Sequence, residues 1–174
     1  LFINAGPLLK IDMNDKLHQI NVTYYGKEDR LLLKVTTQKG NEYRIWLTRR
    51  FTGLLFNVLN AEMDKQGGIS SIRTSQQTRQ MFKSGAFEKS FEKGKTASFP
   101  LGEQGFLAYG IKSSSTPQGE LLLEILPGKG AGVNINLNKS LLYMFHNLLT
   151  QGLIKAEWHK QSINLQDEAS RHVH

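Results

Sequence analysis

The chain of 174 residues has no cysteine. That excludes a disulfide framework, a thiolate metal site and a cysteine nucleophile. It also lacks any stretch of about 18 apolar residues, so no transmembrane helix and no membrane partner is expected. The first residues, Leu1 to Lys10, show neither a basic leader nor a long apolar run, so no signal peptide is expected. These absences suit a cytoplasmic location. Acidic residues are scarce in the first half: residues 1–95 carry 16 Lys and Arg against 9 Asp and Glu, while residues 96–174 carry 6 against 6. The whole net charge of +7 therefore lies before residue 96. Such a bias favours a polyanionic partner or an acidic protein surface; a solvated basic surface that keeps the chain soluble accounts for it equally. Apolar residues make up 39% and glycines number 16, together near the globular norm, so a sizeable core is available.

One internal match dominates, at an offset of 90 residues. Leu31 to Asn60 lies over Leu121 to Thr150 without a gap, and nine of the thirty pairs are identical; random pairing gives about two. The physical pattern repeats as well. An apolar run (Leu31–Val35; Leu121–Leu126) leads into a turn containing Lys-Gly and then an alternating strand. Tyr43, Ile45 and Leu47 share one face of that strand, as do Val133, Ile135 and Leu137 in the second copy. Thr48 or Asn138 follows as a helix N-cap. The helix then carries an apolar stripe: Phe51, Leu54, Leu55, Val58 and Leu59 in one copy, Leu141, Met144, Phe145, Leu148 and Leu149 in the other.

Upstream, Ile20, Val22 and Tyr24 alternate, as do Leu107, Tyr109 and Ile111. Leu9, Ile11 and Met13 suggest a further strand, with Ser98 to Leu101 as its weak equivalent. The fold class is therefore α+β: two pseudo-repeats, each a four-stranded antiparallel meander followed by an amphipathic helix. The first repeat occupies residues 1–65, and a basic linker with weak helical periodicity over Ser75–Lys93 occupies 66–97. The second repeat occupies 98–159 and a disordered tail 160–174, the repeats forming one compact domain. The second helix extends past Gly152 towards Trp158 if the glycine is tolerated.

Signals for catalysis are poor. Gly128-Lys129-Gly130-Ala131-Gly132 joins two strands, whereas a phosphate-binding loop joins a strand to a helix. No Ser/His/Asp or paired-carboxylate arrangement follows from spacing. Asp12, Asp15, Glu28, Asp29 and Glu42 fall in or beside turns, where solvation accounts for them. His146 matches Phe56 on the flank of the helix, which packing explains. No enzyme, cofactor or metal site is expected.

The sheet face turned away from the helices carries more information. It presents Arg44, Trp46 and Thr48, with Lys34, Thr36 and Tyr25 from neighbouring strands. Trp, Tyr, Arg and Lys mixed on one face can stack bases and pair with phosphates; burial of Trp46 and Tyr25 against the other copy or a second subunit is the structural alternative. Arg49 and Arg50 begin the first helix, where the dipole disfavours positive charge, so an anion contact is one reason for them. The candidate nucleic-acid-binding set is Trp46, Arg44, Tyr25, Lys34, Arg49 and Arg50.

The strand-to-helix strings Tyr43–Leu59 and Val133–Leu149 resemble, in architecture, the single-stranded-DNA-binding regulator fold of the Whirly proteins, the Pur-alpha repeats and positive cofactor four. The string Trp46-Leu47-Thr48-Arg49-Arg50-Phe51 is also similar to bacterial proteins of no assigned activity. The architectural resemblance implies a single-stranded DNA or RNA partner and a role in transcription or DNA metabolism; it carries no residue roles across, because no signature motif is present. The alternative is a protein-interaction or assembly module, a homo-oligomer included, using the sheet face or Phe56, Leu142 and Tyr143.

Overall fold

A computed structural model describes residues 15–68, 80 and 98–158. The strand suggested by Leu9, Ile11 and Met13, the helical stretch over Ser75–Lys93 and the tail after His159 lie outside the described residues. Six strands form one mixed sheet in sequential order: β1 (Leu17–Tyr25), β2 (Arg30–Thr37), β3 (Glu42–Leu47), β4 (Phe106–Ser115), β5 (Leu121–Pro127) and β6 (Val133–Leu137). Helix α1 (Arg49–Lys65) follows β3, and helix α2 (Lys139–Ala156) follows β6. Among the described residues each unit is three strands and a helix, not four strands and a helix. Ser98–Leu101 forms no strand; only Ser98 bridges to Asn41, and Phe99 opens a turn closed by the Gly102 amide at 2.9 Å.

The two units match in register. Leu31, Leu33 and Val35 pair with Leu47, Ile45 and Tyr43, and their counterparts Leu121, Leu123 and Ile125 pair with Leu137, Ile135 and Val133. Both helices start on the same device. The Thr48 hydroxyl accepts from the Phe51 amide at 3.2 Å, and Asn138 Oδ1 accepts from the Leu141 amide at 3.0 Å. Each bond satisfies one of the amides that a helix start leaves without an intrahelical acceptor.

The first strands differ from the expected alternation in one shared detail. β1 bulges between Leu17 and Gln19, and β4 bulges between Ala108 and Gly110. A bulge adds one residue to one strand and resets which side chains face inward. Ile20 opposes Val35 and Ile111 opposes Ile125 on the core face, but Leu107 and Tyr109 turn outward, 43% and 81% exposed. The alternation Leu107-Tyr109-Ile111 is therefore not one face.

The apolar faces of the sheet and both helices close on one core, including Leu33, Ile45, Leu55, Leu59, Leu123, Ile135 and Phe145. The stripes are rotated slightly from expectation. Leu54 is 45% exposed, while Thr52 and Met63 are buried. In α2, Leu142 is fully buried, so it forms no external interface.

Packing between the units is reciprocal: α1 lies against β4, and α2 lies against β1. The helices also meet each other, and the matched residues Phe56 and His146 stack at 4.6 Å. At 18 residues α2 is about 27 Å long, enough to cross six strands spanning roughly 24 Å. Its approach to the first unit requires Gly152, where a Cβ would sit 3.0 Å from Val22 and 3.2 Å from Leu31. Beyond α2, Glu157 adopts the left-handed conformation and directs Trp158 into the first unit. Trp158 is buried edge-on to Tyr24 at 6.1 Å, and its Nε1–H donates to Asp29 Oδ1 at 2.9 Å. The Tyr24 hydroxyl donates to the same oxygen at 2.9 Å. That bond, followed by burial and the charges of Asp29 and Glu157, raises the Tyr24 pKa above 10.0.

Besides Asp29, two more carboxylates expected to be merely solvated are structural. Asp15 is buried and accepts from the Lys39 amide at 3.0 Å and from Asn41 Nδ2 at 2.8 Å, tying β1 to the β2–β3 turn. Burial pushes its carboxyl up, but hydrogen bonds from Thr37, Lys39 and Asn41, with the Lys39 charge, outweigh burial and hold it below the ordinary value. Glu42 is buried beneath Arg44.

Replacing Trp158 with Ala should cost about 3–5 kcal/mol in urea unfolding, because ring and clasp are both lost. Trp158→Phe should cost less, about 2 kcal/mol, the value of a hydrogen bond to the charged Asp29 carboxylate. At the helix interface, burial lowers the His146 pKa below 6.5, and Nε2–H donates to Asn60 Oδ1 at 2.9 Å. The folded state thus favours neutral imidazole: this source of stability is intact above pH 6.5 and declines as pH falls towards the lowered value. His146→Phe should flatten that acid-side decline when unfolding midpoints are compared at neutral and mildly acidic pH.

Candidate nucleic-acid interface

The sheet face turned away from the helices presents a row across four strands. Thr23, Leu32, Trp46 and Leu107 are successive pairing partners from β1 to β4. Leu32 is buried within this row although it faces away from the helices. Tyr25 lies two residues beyond Thr23, 40% exposed, and its ring meets Trp46 edge-on at 5.2 Å. Trp46 is half-buried, and its Nε1–H donates to the Gln104 carbonyl at 2.9 Å. The indole is therefore held by its polar edge. Next to this row Tyr109 stands at the β4 bulge, with its ring beside Gly128. Because Ala108 and Ile111 both face the core, Tyr109 and Gly110 both turn outward.

The candidate residues separate into two groups. Tyr25, Lys34, Arg44 and Trp46 share this face, but Arg44 is already engaged within the fold. Its Nε donates to buried Glu42 at 2.6 Å, one terminal nitrogen donates to the Glu103 carbonyl at 2.7 Å, and its guanidinium lies 4.7 Å from the Phe99 ring centre. Gly105 packs directly onto the Arg44 carbonyl in the left-handed region, where a side chain would collide. Arg44 thus fastens the loop before β4 to β3 and is not a ready phosphate ligand. Arg49 and Arg50 begin α1, away from the row. Arg49 donates to the Trp158 carbonyl at 3.2 Å, which supplies a structural reason for a cation at a helix start; Arg50 is exposed.

Sequence reasoning missed Tyr109 by placing it in one alternating face with Leu107 and Ile111. The usable signal was Gly110, since an isolated glycine inside a strand pattern marks a bulge. Charge on this face is nearly balanced: Arg44 pairs with Glu42, and Lys112 lies across the ladder from Glu124. Among the described residues no group of three or more His, Asp or Glu side chains is arranged to hold a metal ion, and no helix is long and apolar enough to cross a membrane.

Arg44→Ala should act mainly on stability, lowering it by about 2 kcal/mol in urea unfolding, because a buried carboxylate loses its charged donor. No family model matches the chain, and neither does any curated protein or solved structure.

Proposed function

We propose that the open sheet face binds single-stranded nucleic acid, with bases stacking on Tyr109, Tyr25 and Trp46. The observation that carries this reading is the exposure of Tyr109, 81%, beside a Trp46–Tyr25 pair fixed at 5.2 Å on the same face. Rings held in place in this way offer π-faces to any base without ordering cost, and each stacked base is worth about 1–3 kcal/mol. The net charge of +7 draws a polyanion towards the protein. Lys34 and Lys112, on the same face, are the cations nearest to bound phosphates. Arg44 and Arg49 act within the fold, so the reading does not rest on them.

A protein partner on the same face is the second reading, favoured by exposed Leu107 next to Trp46 and by the balanced charge. Fluorescence anisotropy of labelled oligo-dT and oligo-U against the full chain separates the two. Binding should weaken about 5- to 100-fold in Tyr109→Ala, the range that one lost stacking contact implies, while Tyr109→Phe stays near wild type. Raising salt should lower affinity with a shallow slope, about −0.7 per phosphate contact. No binding by the wild type, or equal binding by Tyr109→Ala, would favour the protein-partner reading.

A further inference from the structure

The repeat leaves one pairing made once within the chain and its counterpart unmade. Between the units, β3 pairs in parallel with the start of β4, Ile45 opposite Phe106 and Trp46 opposite Leu107. In the 90-residue repeat β6 corresponds to β3, and the shared bulge makes β1 the counterpart of β4. Yet among the described residues β6 and β1 are the two outer strands of the sheet. In an open sheet they lie roughly 24 Å apart, too far to pair within one molecule.

Both outer strands are chemically suited to pairing. Natural edge strands are usually blunted by Lys, Pro or inward-pointing charge. Val133–Leu137 and Leu17–Tyr25 contain neither a charged residue nor proline, while Asp15 and Lys16, just ahead of β1, place charge where the contact forms; β2, β3, β4 and β5 all carry charge, at Lys34, Arg44, Lys112 and Glu124. Within the strands themselves the usual distribution is reversed. At the internal junction Arg44 and Trp46 reach across to the carbonyls of Glu103 and Gln104. Their counterparts on β6 are Asn134 and Asn136; Asn136 Nδ2 donates to Glu120 Oε2 at 2.8 Å, which leaves its Oδ1 to accept across the edge.

We propose that β6 takes the start of β1 from a second copy of this chain, repeating the β3–β4 junction between molecules. In that register Asn136 faces Lys16 of the neighbour. The contact is heterologous, head to tail, so it builds a ring or an open chain. Successive sheets then join edge to edge, and each copy's open face continues into the next.

Sedimentation velocity of the full chain over a rising concentration series is the test. The wild type should self-associate with increasing concentration. Asn136→Lys, which sets like charges opposite, should weaken association about two- to fivefold per junction. Adding Lys16→Glu to Asn136→Lys should restore it, because the new pair attracts. Both positions are exposed, so circular dichroism should remain that of the wild type. A wild type that stays monomeric at every concentration overturns the proposal, as does an Asn136→Lys variant that associates as well as the wild type, or a charge swap without recovery.

Discussion

The exchange of helices between the two units is the constraint on which this fold depends. A three-stranded meander with one helix is a small unit, and each here has its first strand covered by the other unit's helix. Apolar burial is therefore shared, and neither half encloses a complete core alone. The Phe56–His146 stack lies where the helices meet, so the two matched positions touch each other. A self-associating pair of identical units would place equivalent residues in contact in the same way. In the second copy histidine stands where the first has phenylalanine, which brings a titratable ring and a bond to Asn60 into an otherwise apolar interface.

Much of this architecture was legible in the residues. The apolar runs of β2 and β5, the alternation in β3 and β6 and the caps at Thr48 and Asn138 all follow local rules, and local rules repeat when a sequence repeats. Gln66-Gly67-Gly68 ends α1 as expected, since glycine readily takes the positive φ found at both Gly67 and Gly68. What escaped was non-local. Within residues 106–111 only Gly110 hints that a bulge, not simple alternation, governs their facing and turns Tyr109 outward. The burial of Asp15 depends on donors from another segment, Lys39 and Asn41, whereas Glu42 takes its donor from Arg44, two residues on in the same strand. Gly152 read as a weak point of α2, but its missing side chain is what lets the helix approach Val22 and Leu31.

The candidate face divides along the same line. Residue types alone grouped Trp46, Tyr25, Arg44 and Lys34, and the pairing register brings those four onto one surface. Type could not reveal that Arg44 spends its donors on Glu42 and Glu103, or that Arg49 serves the clasp at Trp158. A guanidinium offers several donors in a fixed fork, well suited to fastening a loop to a strand. The face is consequently aromatic and apolar more than cationic, with its indole immobilised and its most exposed ring at an irregularity of the backbone.

The contact between Asp29 and Trp158 joins positions 129 residues apart, and it dictates an order of events during synthesis. The first meander emerges long before the helix that covers β1 exists, so its inner face must wait, wet and adhesive, for the last turn of the described chain. Proteins dominated by such distant pairings fold slowly and remain open to aggregation meanwhile. Premature termination anywhere before α2 would therefore leave a full-length first unit without its lid.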